Sequence, residues 1–211
     1  MTITNNVLLT GGVRLFAGTL QVGTGGTVGN LSGPIVVDAG ATLVVNRSDA
    51  VVNAEAITGA GNAVKLGAGR MDAGAAFNLT GNLTVSGGTL AVGSAARPAS
   101  VTLASGTTFA VTNGVTTSTM VVPTLSLPAG GANLQFELAT VGNPTVPLLS
   151  VTGTNGFSLG GGSHQLTIVS KGSLGLGTIT LVNYVGTDIT AGFALNTLPQ
   201  RLIGGLVYNT A

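Results

Sequence analysis

The chain has no cysteine and no tryptophan, and only 6% of its 211 residues are charged. Soluble domains typically carry about 25% charged residues. Without cysteine there is no disulfide framework, no thiolate nucleophile and no Cys-ligated metal. Seven Lys and Arg against six Asp and Glu give a net charge of +1. That excludes the clustered basic face a nucleic-acid binder needs. No apolar run approaches the about 18 residues of a membrane-spanning helix, and six Phe with two Tyr are too few for the aromatic girdles of a transmembrane barrel. No nucleic-acid partner and no membrane insertion are expected. Residues Met1 to Asn6 lack the basic region and long apolar core of a signal peptide. The expectation is a chain not exported by that route in this form, or a segment of a longer exported chain.

What is present is Gly, Thr and Val. Hydrophobic residues make up 44% of the chain, enough for a core. Glycine and proline number 35 and 7, below the roughly 25–30% that marks low-complexity disorder. Glycine shows no strict three-residue period, so collagen is excluded. Strong helix formers are scarce, and apolar residues recur at period two in short runs such as Leu83-Thr84-Val85 and Leu134-Gln135-Phe136-Glu137-Leu138. Alternation of that kind predicts strands.

A unit of short strand, glycine turn and short strand recurs. Its copies are Val13–Val22, with Ala17-Gly18 at the turn, and Ile35–Val45, with Ala39-Gly40. Two more are Leu83–Val92, with Gly87-Gly88, and Val101–Val111, with Ser105-Gly106. Short and long forms alternate, starting 22 residues apart in the first pair and 18 in the second. A coil of roughly 20 residues cannot bury its own apolar face, so successive coils must stack. Stacking at about 4.8 Å per coil yields long parallel sheets with alternate side chains facing one core. A charge repeated at every coil would stack like on like, which accounts for the low charge. The predicted fold is all-β, a parallel β-solenoid, read as a right-handed β-helix of roughly eight to ten coils. Residues 1–118 form the regular repeats. From 119 to 211 the pattern loosens into a less regular C-terminal β-module that closes or continues the solenoid, with five of the seven prolines beyond residue 120. Strands are predicted there at 133–140, 147–152, 164–170, 177–184 and 202–208.

The stretch Ile57-Thr58-Gly59-Ala60-Gly61-Asn62-Ala63-Val64-Lys65-Leu66-Gly67-Ala68-Gly69 is followed by Phe77–Gly81 and Val85–Gly93. Together they resemble the autotransporter-associated β-strand repeat, also called the passenger-associated transport repeat. Lys65, Gly67 and Gly69 fall where its G-x-G-x-x-x-K-x-G-x-G segment expects them, whereas Arg70-Met71-Asp72-Ala73 departs from it. Gly177–Tyr184 and Leu206–Thr210 are similar to the terminal strands of such a passenger region. The resemblance implies an extracellular or bacterial cell-surface β-helix, often part of a large adhesin or scaffold, whose repeat carries no catalytic residues.

Candidates for chemistry are few. His164 is the only histidine; with Asp188 it is the one place a Ser-His-Asp site could form, against an exposed histidine at a strand start. A β-helix glycosidase or lyase needs clustered carboxylates. Asp38 and Asp72, 34 residues apart, match neither one coil nor two, and Asp49, Glu55, Glu137 and Asp188 read as solvated turn acids. Lys65 and Arg70 near Asp72 form the only charge cluster along the sequence, read as a solvated corner. Gly59-Ala60-Gly61 and Gly23–Gly26 complete neither a dinucleotide fingerprint nor a P-loop, and the repeated Asp of calcium-binding β-rolls is missing. The sequons at Asn30, Asn46, Asn78 and Asn82 carry meaning only in a eukaryotic secretory setting. Phe16, Phe77, Phe109, Phe136, Phe157 and Phe193 are expected to fill the core. No catalytic, cofactor-binding or metal-ligating residue is assigned, and no cofactor is expected.

The reading that covers these features is a non-enzymatic structural scaffold, stalk or adhesin segment, with a host or cell-surface glycan or protein as its partner. Three alternatives stand beside it. A self-assembling extracellular fibre subunit would associate through solenoid ends or through the N-terminal strand, Thr2-Ile3-Thr4 and Val7-Leu8-Leu9. A polysaccharide-acting β-helix enzyme would use Asp72. Ice binding through Thr-x-Thr ladders is weaker, because Thr2-Ile3-Thr4, Thr117-Ser118-Thr119, Thr152-Gly153-Thr154 and Thr178-Ile179-Thr180 share no fixed coil position.

Overall fold

The computed structural model describes the chain apart from residues 54, 75–76, 114–116, 139–141, 171, 190, 197, 200–202 and 209–211. Among the described residues there is no helix, and every strand pairing is parallel. The chain winds as a three-sided parallel β-solenoid. Its first two turns are β1 (Thr2–Ile3), β2 (Asn6–Leu8), β3 (Val13–Leu15), then β4 (Gly18–Val22), β5 (Asn30–Ser32), β6 (Ile35–Val37). The next two are β7 (Ala41–Asn46), β8 (Val51–Val52), β9 (Ile57–Gly59), then β10 (Asn62–Leu66), β11 (Arg70–Asp72), β12 (Phe77–Leu79). The fifth has only β13 (Asn82–Val85) and β14 (Thr89–Gly93), and the sixth adds β15 (Ser100–Leu103), β16 (Thr108–Asn113) and β17 (Met120–Val122). The last turns are β18 (Thr124–Leu127), β19 (Asn133–Leu138), β20 (Leu149–Thr154), then β21 (Phe157–Leu159), β22 (His164–Ser170), β23 (Val182–Val185), with β24 (Phe193–Leu195) starting another.

Face 1 is a single eight-stranded sheet, β1-β4-β7-β10-β13-β15-β18-β21. Face 2 starts with the pair β2-β5 and continues as β8-β11-β14-β16-β19-β22-β24, and face 3 is β3-β6-β9-β12 followed by β17-β20-β23. The sequence alternation maps directly onto these sheets. On face 1, Leu83, Val101 and Leu125 lie opposite one another in register and are buried. On face 2 the inner row runs Met71, Leu90, Phe109, Leu134, Leu166. Each such fully buried side chain contributes about 1.5–3 kcal/mol relative to exposure.

The recurring strand–glycine–strand unit is a corner rather than a coil. Val13 pairs with Ile35, so the first two copies turn from face 3 into face 1, at Gly18 and Gly40. Leu83 pairs with Val101, so the second two turn from face 1 into face 2, at Gly88 and Gly106. All four glycines have positive φ, between 59° and 83°, a conformation that a Cβ disfavours. Gly69 is needed for a different reason: a Cβ there would strike the Asp49 backbone of the preceding turn.

Arg70–Asp72, which departs from the repeat pattern, forms the regular strand β11. Beyond residue 118 the strands stay in the same three faces while the turns lengthen. Met71 lies opposite Leu90, 19 residues on, whereas Leu134 lies opposite Leu166, 32 residues on. The expected strand at 164–170 is β22, and the strand at 133–140 is described as far as Leu138, its last two residues lying outside the described set. The strand expected at 177–184 is only Val182–Val185. Residues 203–208 form no strand, since the Gly204-Gly205 pair weakens extended pairing; Leu202, Asn209 and Thr210 lie outside the described residues.

Candidate functional site

Parity along a strand decides where each polar group points, and it places two of them inside. Lys65 lies in register between Val45 and Val85, in an inner row of face 1, and is 2% exposed. It is not the solvated corner expected from sequence. Its Nζ donates to the carbonyls of Leu66, Gly67 (2.9 Å) and Gly87 (3.4 Å), closing the corner between faces 1 and 2. Burial pushes its pKa below the usual lysine value. Arg47, also buried, holds the neighbouring corner by donating to the carbonyls of Gly29 (2.7 Å) and Thr27 and to the Asp49 carboxylate. The hydrogen bond from Arg47 is the main cause that lowers the Asp49 pKa.

His164 opens β22 and is 0% exposed, which corrects the expectation of an exposed histidine. It has the inward parity of Leu166 and sits against the Phe193 ring at 5.6 Å between centroids. Its Nδ1 accepts the Ala132 amide at 3.2 Å, so the neutral ring carries its proton on Nε2, an atom with no partner. Burial lowers its pKa. Asp188 is exposed, no hydrogen bond or ion pair joins it to His164 among the described residues, and the geometry of a triad is missing.

The charge cluster of the molecule lies on the outer surface of face 2, and only one of its carboxylates was expected there. Arg70 holds Asp72 through Nε at 3.0 Å to each oxygen, and Glu137 through Nη1 and Nη2 at 2.7 and 3.1 Å. Gln135 Nε2 donates to Glu137 at 2.6 Å. Hydrogen bonds to Asp72 first, and then to Glu137, raise the Arg70 pKa against the opposing effect of burial. Arg70 stands on β11 and Glu137 on β19, with β14 and β16 between them. The intervening positions in the Asp72–Gln135 register are Ala91 and Ala110. Both are buried although they point outward, because the bidentate pair passes over them. Asp38 is elsewhere, paired with Arg14 at 3.0 Å, so the Asp38–Asp72 combination does not form.

Further side chains on the face 2 surface are bonded to one another as well. Thr167 donates to Asn133 at 2.9 Å, and Asn196 to Thr167 at 2.6 Å. Face 1 is different. Its outer positions stack as Thr19, Thr42, Asn62, Asn82, Ser100 and Thr124 in one row. A second row, two residues along each strand, runs Thr2, Gln21, Val44 and Val64 and ends with Thr84, Thr102, Ser126 and Ser158. Neither row contains a charged residue. Of the four Thr-x-Thr strings only Thr2 stands in this ladder, at the start of its second row; the strings share no common row. The clue in the sequence was the outer position of each alternating strand, read at the 18-residue spacing of Leu83 and Val101.

Of the sequons, Asn82 is on this ladder; Asn78 is exposed on β12, and Asn30 and Asn46 are half-buried. Phe77, Phe109 and Phe136 fill the core, while Phe157 and Phe193 are partly buried beside it. Phe16 does not fill the core: it is 70% exposed, with the Arg14 guanidinium 4.9 Å from its ring centroid. Two cavities lined by core residues, of about 20 and 10 Å³, are at most the size of a water molecule. Among the described residues no group of His, Cys, Asp and Glu has the arrangement of a metal site, and no helix is long and apolar enough to cross a membrane. No family model, no curated protein and no solved structure matches the chain.

Proposed function

We propose that this chain is a non-enzymatic β-solenoid of the extracellular space or bacterial cell surface, acting as a scaffold, stalk or adhesin segment. One observation carries the reading: Arg47, Lys65 and Glu137, the buried charges among the described residues, all bond to turns or bridge one turn to another, Glu137 through Arg70. Groups so engaged are ill suited to move protons. Asp72 and Glu137 share one arginine, whereas a glycosidase needs one carboxyl group kept protonated as general acid. The expected behaviour is an elongated particle that releases neither reducing ends nor unsaturated products from neutral and acidic polysaccharides. Turnover that disappears in Asp72→Ala would overturn the reading. A protease added to intact source cells should degrade the protein; full protection would contradict the surface location.

The fibre reading is favoured by the first turn. Strands β1, β2 and β3 are each the last strand of their sheet, and Met1, Leu8 and Phe16 around them are 84, 73 and 70% exposed. Unpaired edges of this kind template further strands. Size-exclusion chromatography with negative-stain microscopy tests it, and a monomer at high concentration would dismiss it.

A further inference from the structure

The outer surface of face 1 has a polar repeat most of whose hydroxyls have no partner inside the molecule. The first row places a hydroxyl or amide about 4.8 Å beyond the last over six successive strands, the second does so from Thr84 to Ser158 after Val44 and Val64, and the two rows stand about 6.6 Å apart along the strands. The row from Thr19 to Thr124 spans six turns, or about 24 Å. Alternate residues of these strands are buried, which fixes the outward direction of the others. Asn82 accepts the Ser100 hydroxyl at 2.7 Å, and Asn62 Oδ1 accepts the Asn82 amide at 2.9 Å. These bonds hold the carboxamides in a set orientation. Among the described residues, no hydrogen bond within the protein engages the hydroxyls of Thr84, Thr102, Thr124 or Ser126.

We infer that face 1 binds a linear neutral polysaccharide laid along the solenoid axis. A ligand for this surface must itself repeat, because the surface presents similar donors and acceptors turn after turn. A globular protein has no such repeat. The ligand must also be uncharged, since neither row offers a charge to pair with an acidic polymer, a nucleic acid or an anionic membrane. Polyhydroxyl repeats that both donate and accept match Thr, Ser and Asn, which do the same. With no aromatic residue in either row, there is no stacking platform. Affinity must come from many weak contacts in series and must grow with chain length.

The proposal rests on the non-enzymatic reading, to which it adds the partner of one face: a glycan held without being cut. The test is co-sedimentation of the purified chain with insoluble cellulose, chitin, β-1,3-glucan and starch, alongside their soluble hexasaccharides. The released sugar is assayed in parallel. Expected is retention on at least one polymer, with its hexasaccharide bound more than tenfold more weakly, and no sugar released. The triple variant Thr84→Val, Thr102→Val, Ser126→Ala removes three hydroxyls while keeping β-compatible shapes, and should weaken binding about tenfold or more. Thr102→Lys, a single exposed change, should weaken it while leaving the melting temperature in place. Retention on none of the polymers, or retention unchanged in both variants, would overturn the proposal and leave the scaffold reading standing. Release of sugar would instead sink the non-enzymatic reading. Thermal hysteresis without polymer binding would assign the ladder to ice and also refute the proposal.

Discussion

Faces 1 and 2 have the same parallel backbone and both carry Thr and Asn in their outer rows, yet those rows are engaged differently. On face 2 the outer side chains bond to one another across turns. Arg70 reaches Glu137 over two alanines, and Asn133, Thr167 and Asn196 are linked in series. On face 1 most hydroxyls point to solvent without a protein partner. The difference comes from residue size and charge at a few positions. Ala91 and Ala110 leave a trench that a long charged pair can cross, whereas face 1 keeps side chains of similar length in every turn from Asn62 to Thr124. A solenoid can thus use one outer surface as a strap and leave another open for a partner.

The comparison can be broken at four levels. The largest effect belongs to the inner row that both faces need: Phe109→Ala, at a fully buried site, should cost about 3–5 kcal/mol in denaturant unfolding and abolish function of either face. Glu137→Ala leaves Arg70 half-buried with one partner and uncovers the two alanines; about 2 kcal/mol is expected, with face 1 unaffected. The third level is pH. His164 is neutral in the folded protein, and its folded pKa lies below the ordinary 6.5. Its contribution is therefore full above that value and is lost as pH falls from 6.5 towards the folded pKa. The slope is at most about 1.4 kcal/mol per pH unit for one proton, and it should vanish in His164→Leu. At the smallest level, Thr102→Val on the open face should change stability by less than about 0.5 kcal/mol, because no protein bond is lost.

Much of this architecture is legible in the sequence. The 22- and 18-residue spacings are the registers of Val13 with Ile35 and of Leu83 with Val101. The phase between the two pairs was not readable, because every corner is written as strand, glycine, strand, and no local feature says which corner it is. The parity that buries Lys65 was visible too: it shares alternation with Ala63. Charge suggested solvent, while the carbonyls that hold Lys65 inside belong to corner residues Gly67 and Gly87, in two successive turns. His164 has the same parity as Leu166 and was misjudged for the same reason. Glu137 was hidden more deeply. It lies 67 residues from Arg70, and only the register of three strand pairings brings them together. The outward alanines at 91 and 110 were the single trace in the sequence.

That long-range pair offers the most direct test of the stacking register and of face 2 as a strap. A double-mutant cycle on Arg70→Ala and Glu137→Ala, read by chemical denaturation, isolates their coupling. The expected coupling is about 1–3 kcal/mol, reduced by salt because both groups retain some exposure. Additive single effects, with no coupling beyond error, would contradict the register that joins β11 to β19 and with it the contrast between the two faces.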